Sequence, residues 1–181
     1  GMPFDGEKQF ERDYTNLLPY AQFVFNFTKY REININYNSS MDVPLNRQLQ
    51  PVTDATNPFY ISRGNENLDP VQKHTVNMDF RNANPFENRF LFLGLQLSKT
   101  DRSITTSDSI GNNGITYSKP VNGGPALEAS FFSGIEFPVR VLKSRINIEP
   151  EVGYEKNITY INGITNTGTT LLYRPAINCE S

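Results

Sequence analysis

Six stretches of this chain alternate apolar and polar side chains with a period of two, and that alternation limits the fold more than any other feature. In AQFVFNF, Ala21, Phe23, Phe25 and Phe27 share one side. In REININYN, Ile33, Ile35 and Tyr37 oppose Asn34 and Asn36, and TVNMDFRN sets Val76, Met78 and Phe80 against Asn77 and Asp79. RFLFLGLQLSKT aligns Leu91, Leu93, Leu95 and Leu97. ALEASFFSGIEF gives Leu127, Ala129, Phe131, Ile135 and Phe137, and RINIEPEVGYEKN gives Ile146, Ile148, Val152 and Tyr154. Successive side chains of an extended backbone point to opposite faces, so each run is a ribbon with one greasy and one wet side. No segment sustains a helical stripe through three turns. An all-β fold is expected. Pro150 falls inside the last run and removes a ladder donor, which suggests an edge or a bulge there.

The connections add a second constraint. The first two runs meet through TKYR, the third and fourth through ANPFEN, and the fifth and sixth through PVRVLKS. Residues 39–72 and 100–125 are far longer than the usual hairpin loop of about two to five residues. The sixth run leads into a polar stretch, ITYINGITNTGTT, which reads as a third long excursion. The order is short, long, short, long, short, long. In an up-and-down antiparallel meander, alternate connections fall at opposite ends, so short turns gather at one rim and long loops at the other. That layout is expected of a membrane-type barrel or partial barrel, here of about six to eight strands. A further strand is expected around residues 115–121, within the second long connection.

Composition narrows the classes. At 181 residues and 20.6 kDa the chain suits one domain. Aromatics at 12% and charged residues at 20% argue against disorder, which needs few aromatics and a high net charge. A net charge of -2 offers no bulk attraction to nucleic acid. Cys179 is the sole cysteine, so neither an intrachain disulfide nor a cysteine metal site can form. No basic head followed by an apolar run opens the sequence, so no secretory leader is expected in it. No apolar run reaches about 18 residues, which excludes a transmembrane helix but not a barrel. Residues 1–16 are expected to be a leader or tag remnant, 17–175 the domain and 176–181 a tail.

Side chains that could carry chemistry are sparse. His74 is the sole histidine, stands in line with Val76 and Met78, and has no partner at zincin spacing; it reads as a polar residue at a strand mouth. Glu149 and Glu151 share a strand face, but a polar lumen explains them without acid–base work. Asp101, Asp108, Asn112 and Asn113 lack the order of an EF-hand loop. Asn26, Asn38 and Asn157 open N-x-[ST] sequons that read as chance matches. Neither a nucleophile elbow nor a P-loop nor a dinucleotide fingerprint occurs. The chain is expected to be no enzyme, with no cofactor, metal or catalytic residue.

Two regions carry a family likeness. LNRQLQPVTDATNPFYISRGNENLDP and YSKPVNGGPALEASFFSGIEFPVRVLKSRINIEPEVGYEKNITYING resemble the C-terminal barrel of TonB-dependent outer-membrane receptors. The nearest group is the outer-membrane β-barrel family common in Bacteroidetes. The first region matches at Tyr37, Ser40, Pro44, Leu49, Pro51, Asn57, Pro58, Gly64, Asn65, Leu68 and Pro70, and the second at its Pro-Val-Asn-Gly entry, Pro120 to Gly123. Val43, Glu66 and Val71 stand where the family pattern has Arg, Pro and Glu. The resemblance implies a barrel segment of a nutrient receptor in the cell outer membrane, lacking plug domain and TonB contact and not transport-competent alone. It implies wall strands plus ligand-facing loops, with Asn57, Tyr60, Arg63, Asn65, Asn67, Asn112, Asn113 and Asn122 as ligand candidates. Tyr37, Pro44, Pro51, Gly64, Leu68, Pro70, Pro120 and Gly123 would be structural motif positions. The implied ligand is a small nutrient, a glycan or a metal chelate. An alternative reading is a soluble β-sandwich or small barrel serving as a binding module, because periodicity alone cannot tell a lipid-facing side from a buried one.

Each unpaired backbone group in lipid costs several kcal/mol, so a bare sheet edge costs on the order of tens, more than a domain's net stability of about 5–15 kcal/mol. An isolated segment is therefore expected to close into a smaller barrel, to pair its edges with a second copy, or to fold as a water-soluble unit around its greasy face, with outer-membrane lipid or that second copy as the partner at its open strand edges.

Overall fold

The structure, a computed structural model, describes residues 15–86, 89–139, 141 and 143–180. The expected leader, residues 1–16, therefore lies outside the described residues apart from its last two. Thirteen strands join in a single, mostly antiparallel sheet. Its wall is built from β1 (Tyr20–Thr28), β2 (Arg31–Asp42), β5 (Val71–Asn84), β6 (Arg89–Thr100), β9 (Ala126–Val139), β10 (Ser144–Ile148), β11 (Glu151–Ile161), β12 (Ile164–Arg174) and β13 (Ile177–Glu180). The long connections contribute α1 (Asn46–Leu49), β3 (Thr53–Asn57), β4 (Tyr60–Arg63), β7 (Ile104–Ile110) and β8 (Thr116–Asn122).

The count of thirteen corrects the expected six to eight, for two physical reasons. First, prolines break two long runs. β10 and β11 pair with β9 in one continuous register, and β13 and β12 pair with them likewise, with Pro150 and Pro175 in the gaps. Glu149 N–H donates to Ala176 O at 2.8 Å, so Pro175 sits at the non-bonded position of this ladder and its missing N–H would have pointed to the free edge. Counted by register, the wall has seven runs: β1, β2, β5, β6, β9, β10–β11 and β12–β13. Second, the excursions themselves fold into strands. β13 also carries pairing into the segment expected as a tail.

Register fixes the two faces. Phe23, Ile35, Met78, Leu95, Phe131, Val152 and Tyr173 form one cross-strand row, and Ala21, Tyr37, Val76, Leu97, Ala129, Tyr154 and Leu171 form the next. On the opposite face the corresponding row reads Gln22, Asn36, Asn77, Gln96, Ser130 and Gly153, and ends at the edge strand on Leu172. The apolar face is not covered. Phe23 is 57% exposed, Leu97 43% and Phe131 41%, whereas the only buried large hydrophobics among the described residues are Leu68 and Val71. A sandwich would bury this face under a second sheet, and the described residues place none there.

Two expectations about shape are also corrected. The third long loop does not exist: β11 and β12 turn directly through Asn162 and Gly163, with φ of 51° and 75°. This Asn-Gly pair supplies the positive φ at both central positions that a two-residue hairpin turn needs. The polar Thr and Asn residues read as loop are strand, and the hairpin rises past the start of β9, whose pairing with β11 ends at Leu127–Lys156. Nor does the sheet close among the described residues: β1 and β12–β13 are open edges there. Seven runs in meander order leave both edges pointing the same way, so self-closure would need parallel pairing, which is less stable per residue than the antiparallel kind.

Candidate ligand-facing rim

The two long connections and the tall hairpin form one structured rim. β7 and β8 pair as a hairpin, β8 pairs in parallel with β4, β4 pairs with β3, and β7 pairs in parallel with the top of β11 at Tyr160–Ser107 and Ile161–Asp108. Three hairpin tips are thereby brought side by side. Thr116 N–H donates to Phe59 O at 2.9 Å, joining the first two. Asn162 N–H donates to Asp108 O at 2.8 Å and its Oδ1 accepts from Ile110 N–H at 2.7 Å, joining the third.

The candidate residues divide into two groups. Asn57, Tyr60, Asn112 and Asn113 stand at the tips. Asn57 Oδ1 accepts from Phe59 N–H at 3.0 Å and Asn113 Oδ1 from Ile115 N–H at 3.2 Å, so both shape their own turns. Phe59, Tyr60 and Tyr117 are exposed beside them at 70%, 43% and 45%. Arg63 ends β4, exposed.

The second group lies at the base of the loops and binds them together. Asn65 Nδ2 donates to Pro120 O at 2.9 Å, its Oδ1 accepts from Asn67 N–H at 3.1 Å, and its own N–H donates to Gln48 O at 2.6 Å. Asn122 acts as a surrogate peptide: its Oδ1 accepts from Asp69 N–H at 2.8 Å while its Nδ2 donates to Asp69 O at 2.9 Å. The motif residues expected from two separate loops thus meet in one latch over the buried Leu68. Gly64 is required there, because a Cβ would strike the Gln50 carbonyl. Gly123, where a Cβ would come 2.6 Å from Thr105 Cγ2, is likewise packed against its neighbours. Pro44 is buried and Pro51 exposed on either side of α1.

Further contacts complete the rim and its surroundings, and of their residues Ser103, Ser118 and Asp54 carry no signal in the sequence. Ser103 N–H and Oγ both donate to Gly124 O, at 3.2 and 3.0 Å, and Ser118 Oγ donates to Asp108 Oδ1 at 2.5 Å. Asp54 accepts from Thr56 Oγ1 at 2.6 Å and from Thr56 N–H at 3.0 Å, which lowers its carboxyl below the usual range. Asp101 is lowered chiefly by Lys99, whose Nζ lies at 2.7 Å. Tyr37 belongs to the wall, where its Oη shares a 2.8 Å hydrogen bond with His74 Nδ1 and the rings stack. Glu149 and Glu151 flank Pro150; Glu151 pairs with Arg174 at 3.0 Å and Glu149 accepts from Asn147 at 2.8 Å. Among the described residues no cluster of metal-ligating side chains occurs.

The geometry is that of an amphipathic wall crowned by an ordered rim. No curated protein is significantly similar to the chain. The model of the outer membrane protein beta-barrel family, in contrast, matches residues 4–173, and with nearly the whole sequence inside that match the chain belongs to the family.

Proposed function

We propose that this outer-membrane barrel protein supplies wall strands and a ligand-capturing rim to a TonB-dependent nutrient receptor. The observation that carries the reading is the convergence of three hairpin tips, held by inter-loop hydrogen bonds, with Phe59, Tyr60 and Tyr117 exposed among them. Flat aromatic faces beside amide groups suit the hydroxyl-lined, partly apolar surfaces of glycans and of organic metal chelates. The latch beneath preorganises these tips, so little ordering cost falls on binding.

The test uses the full-length protein in its own cells, with radiolabelled ferric chelates and linear oligosaccharides as probes. The double variant Phe59→Ala, Tyr60→Ala is expected to reach the outer membrane at wild-type level. It should take up at least one probe about tenfold more slowly at limiting concentration, since losing a stacked aromatic costs about 0.5–1.5 kcal/mol beyond its area. Wild-type uptake should stop when the proton-motive force is collapsed. Uptake that survives both treatments overturns the reading.

A further inference from the structure

The two faces of the wall are segregated by charge sign as well as by polarity. Following the register, the face that carries the Leu91–Leu97 row has five residues of the Asp, Glu, Lys, Arg and His types among its described positions: Arg31, His74, Lys99, Arg89 and Lys156. All are basic. The described wall carboxylates Glu32, Asp42, Asp79, Glu128, Glu136, Glu151 and Glu155 all fall on the other face. Among its described residues a chain with net charge -2 thus places no acid on the greasy side of this wall.

The basic residues stand at the two margins of the apolar band. His74, Lys99 and Lys156 share one row at the rim end, with Leu127 between the lysines. Arg31 and Arg89 lie toward the short-turn end. On β6 the distance from Lys99 to Arg89 is ten residues, about 34 Å along the strand. At a tilt of about 35–45° this gives a height of about 24–28 Å, matching the apolar band of about 25 Å in outer-membrane barrels. Beneath the upper row sit Tyr37 and Tyr154, at the depth where aromatic rings border headgroups.

We infer that the His74–Lys99–Lys156 row is a docking surface for the phosphate groups of the lipid that packs against the rim end of the wall. Lys99 and Lys156 are two strand spacings apart, about 10 Å, so one amphiphile bearing two phosphates can meet both. Asp101, beside Lys99 at 2.7 Å and His74 Nε2 at 3.9 Å, is the carboxylate facing the row from the adjoining turn, and it offsets one charge. Lys156 has no ion-pair partner among the described residues and carries the uncompensated charge. The inference rests on the proposed receptor orientation, with the rim outward.

The test takes full-length protein purified from outer membranes and titrates it with a bisphosphorylated lipid A, its dephosphorylated form, and inorganic phosphate. Lys156→Gln is expected to weaken lipid A binding roughly fivefold and the double variant Lys99→Gln, Lys156→Gln roughly thirtyfold, following the usual gain per basic residue near an anionic surface. Arg89→Gln, at the opposite margin, should leave it unchanged. The dephosphorylated lipid should bind wild type as weakly as the double variant. Equal binding of both lipids, or displacement by millimolar inorganic phosphate alone, overturns the inference. Lys156→Gln guards against misfolding of the double variant, and the heat-induced gel shift of each protein reports the fold. Surface labelling of Asn112→Cys, in a Cys179→Ser background, separates the two ideas. Labelling on intact cells with lysine-independent lipid binding sinks the docking surface alone, whereas labelling only after lysis sinks the receptor orientation on which it rests.

Discussion

Asn122 shows how one amide can organise a rim. Its side chain pairs with both backbone groups of Asp69, as a neighbouring strand would, and a third, longer contact reaches Arg102 O at 3.4 Å. Asn122→Ala removes the two close bonds, each worth about 1 kcal/mol net in a partly exposed site. Amide exchange over residues 64–72 should accelerate roughly thirtyfold while the β5–β6 amides of the wall stay protected; unchanged exchange in the loop would refute the latch. The sequence placed Asn122 and Asp69 in separate loops with no hint of their meeting, because 53 residues of chain and two strand pairings bring them together. Gly64 and Leu68 could be singled out from the motif, but the packing that demands them could not. Elsewhere the cross-strand pairs Phe92–Gly134 and Gly94–Phe132 leave the polar face just enough room for two rings, 5.5 Å apart between centroids. That is a pairing visible only once the register is known.

Strand existence was legible wherever one face was greasy. β1, β2, β5, β6, β9 and the β10–β11 run all alternate clearly, and all are observed. β7, ITTSDSI, and the ITNTGTT part of β12 look like loop in the sequence because their Ser, Thr and Asn side chains give both faces similar polarity. Above the apolar band no face has to be hydrophobic, so alternation loses its physical cause and the signal fades. The Asn162–Gly163 pair was the remaining clue to the tall hairpin. Gly163 holds φ 75°, which a β-branched residue adopts only with strain of about 1–2 kcal/mol. Gly163→Val should therefore displace Asn162, release the Ile110 amide from its 2.7 Å bond, and raise its exchange rate. Pairing lower in the hairpin, as at Tyr154–Leu171, should persist. Protection of Ile110 equal to wild type would show that the turn does not position β7.

For the molecule as a whole, the question left open by periodicity was what faces the apolar side. Lipid and a soluble core both reject charge there, but they reject it with different spatial profiles. In a bilayer the cost of an arginine depends on depth: about 2–4 kcal/mol at the midplane and about 0–1 near the interfaces. The cation-bounded band centres near Gly94 on β6, so Leu93 and Leu95 are the deepest lipid-side positions and Leu97 lies one row below Lys99. Leu95→Arg should lower the unfolding free energy of the full-length barrel in lipid vesicles by about 2–4 kcal/mol, and Leu97→Arg by about 1 kcal/mol or less. Gln96→Arg, between them in sequence but pointing to the polar face, should be nearly neutral, since Gln96 pairs across to Asn77 and Ser130 rather than to any apolar side chain. A packed soluble core would penalise such variants by amounts that follow local burial, and Leu95 is also more buried than Leu97, so the deciding comparison is between positions of equal exposure. Phe131, in the same row as Leu95, and Leu97 are exposed alike, at 41% and 43%, but lie at different depths. Phe131→Arg costing about 2–4 kcal/mol against about 1 kcal/mol or less for Leu97→Arg, with Gln96 silent, identifies the solvent of this face as hydrocarbon. Equal losses at Phe131 and Leu97 would return the wall to water.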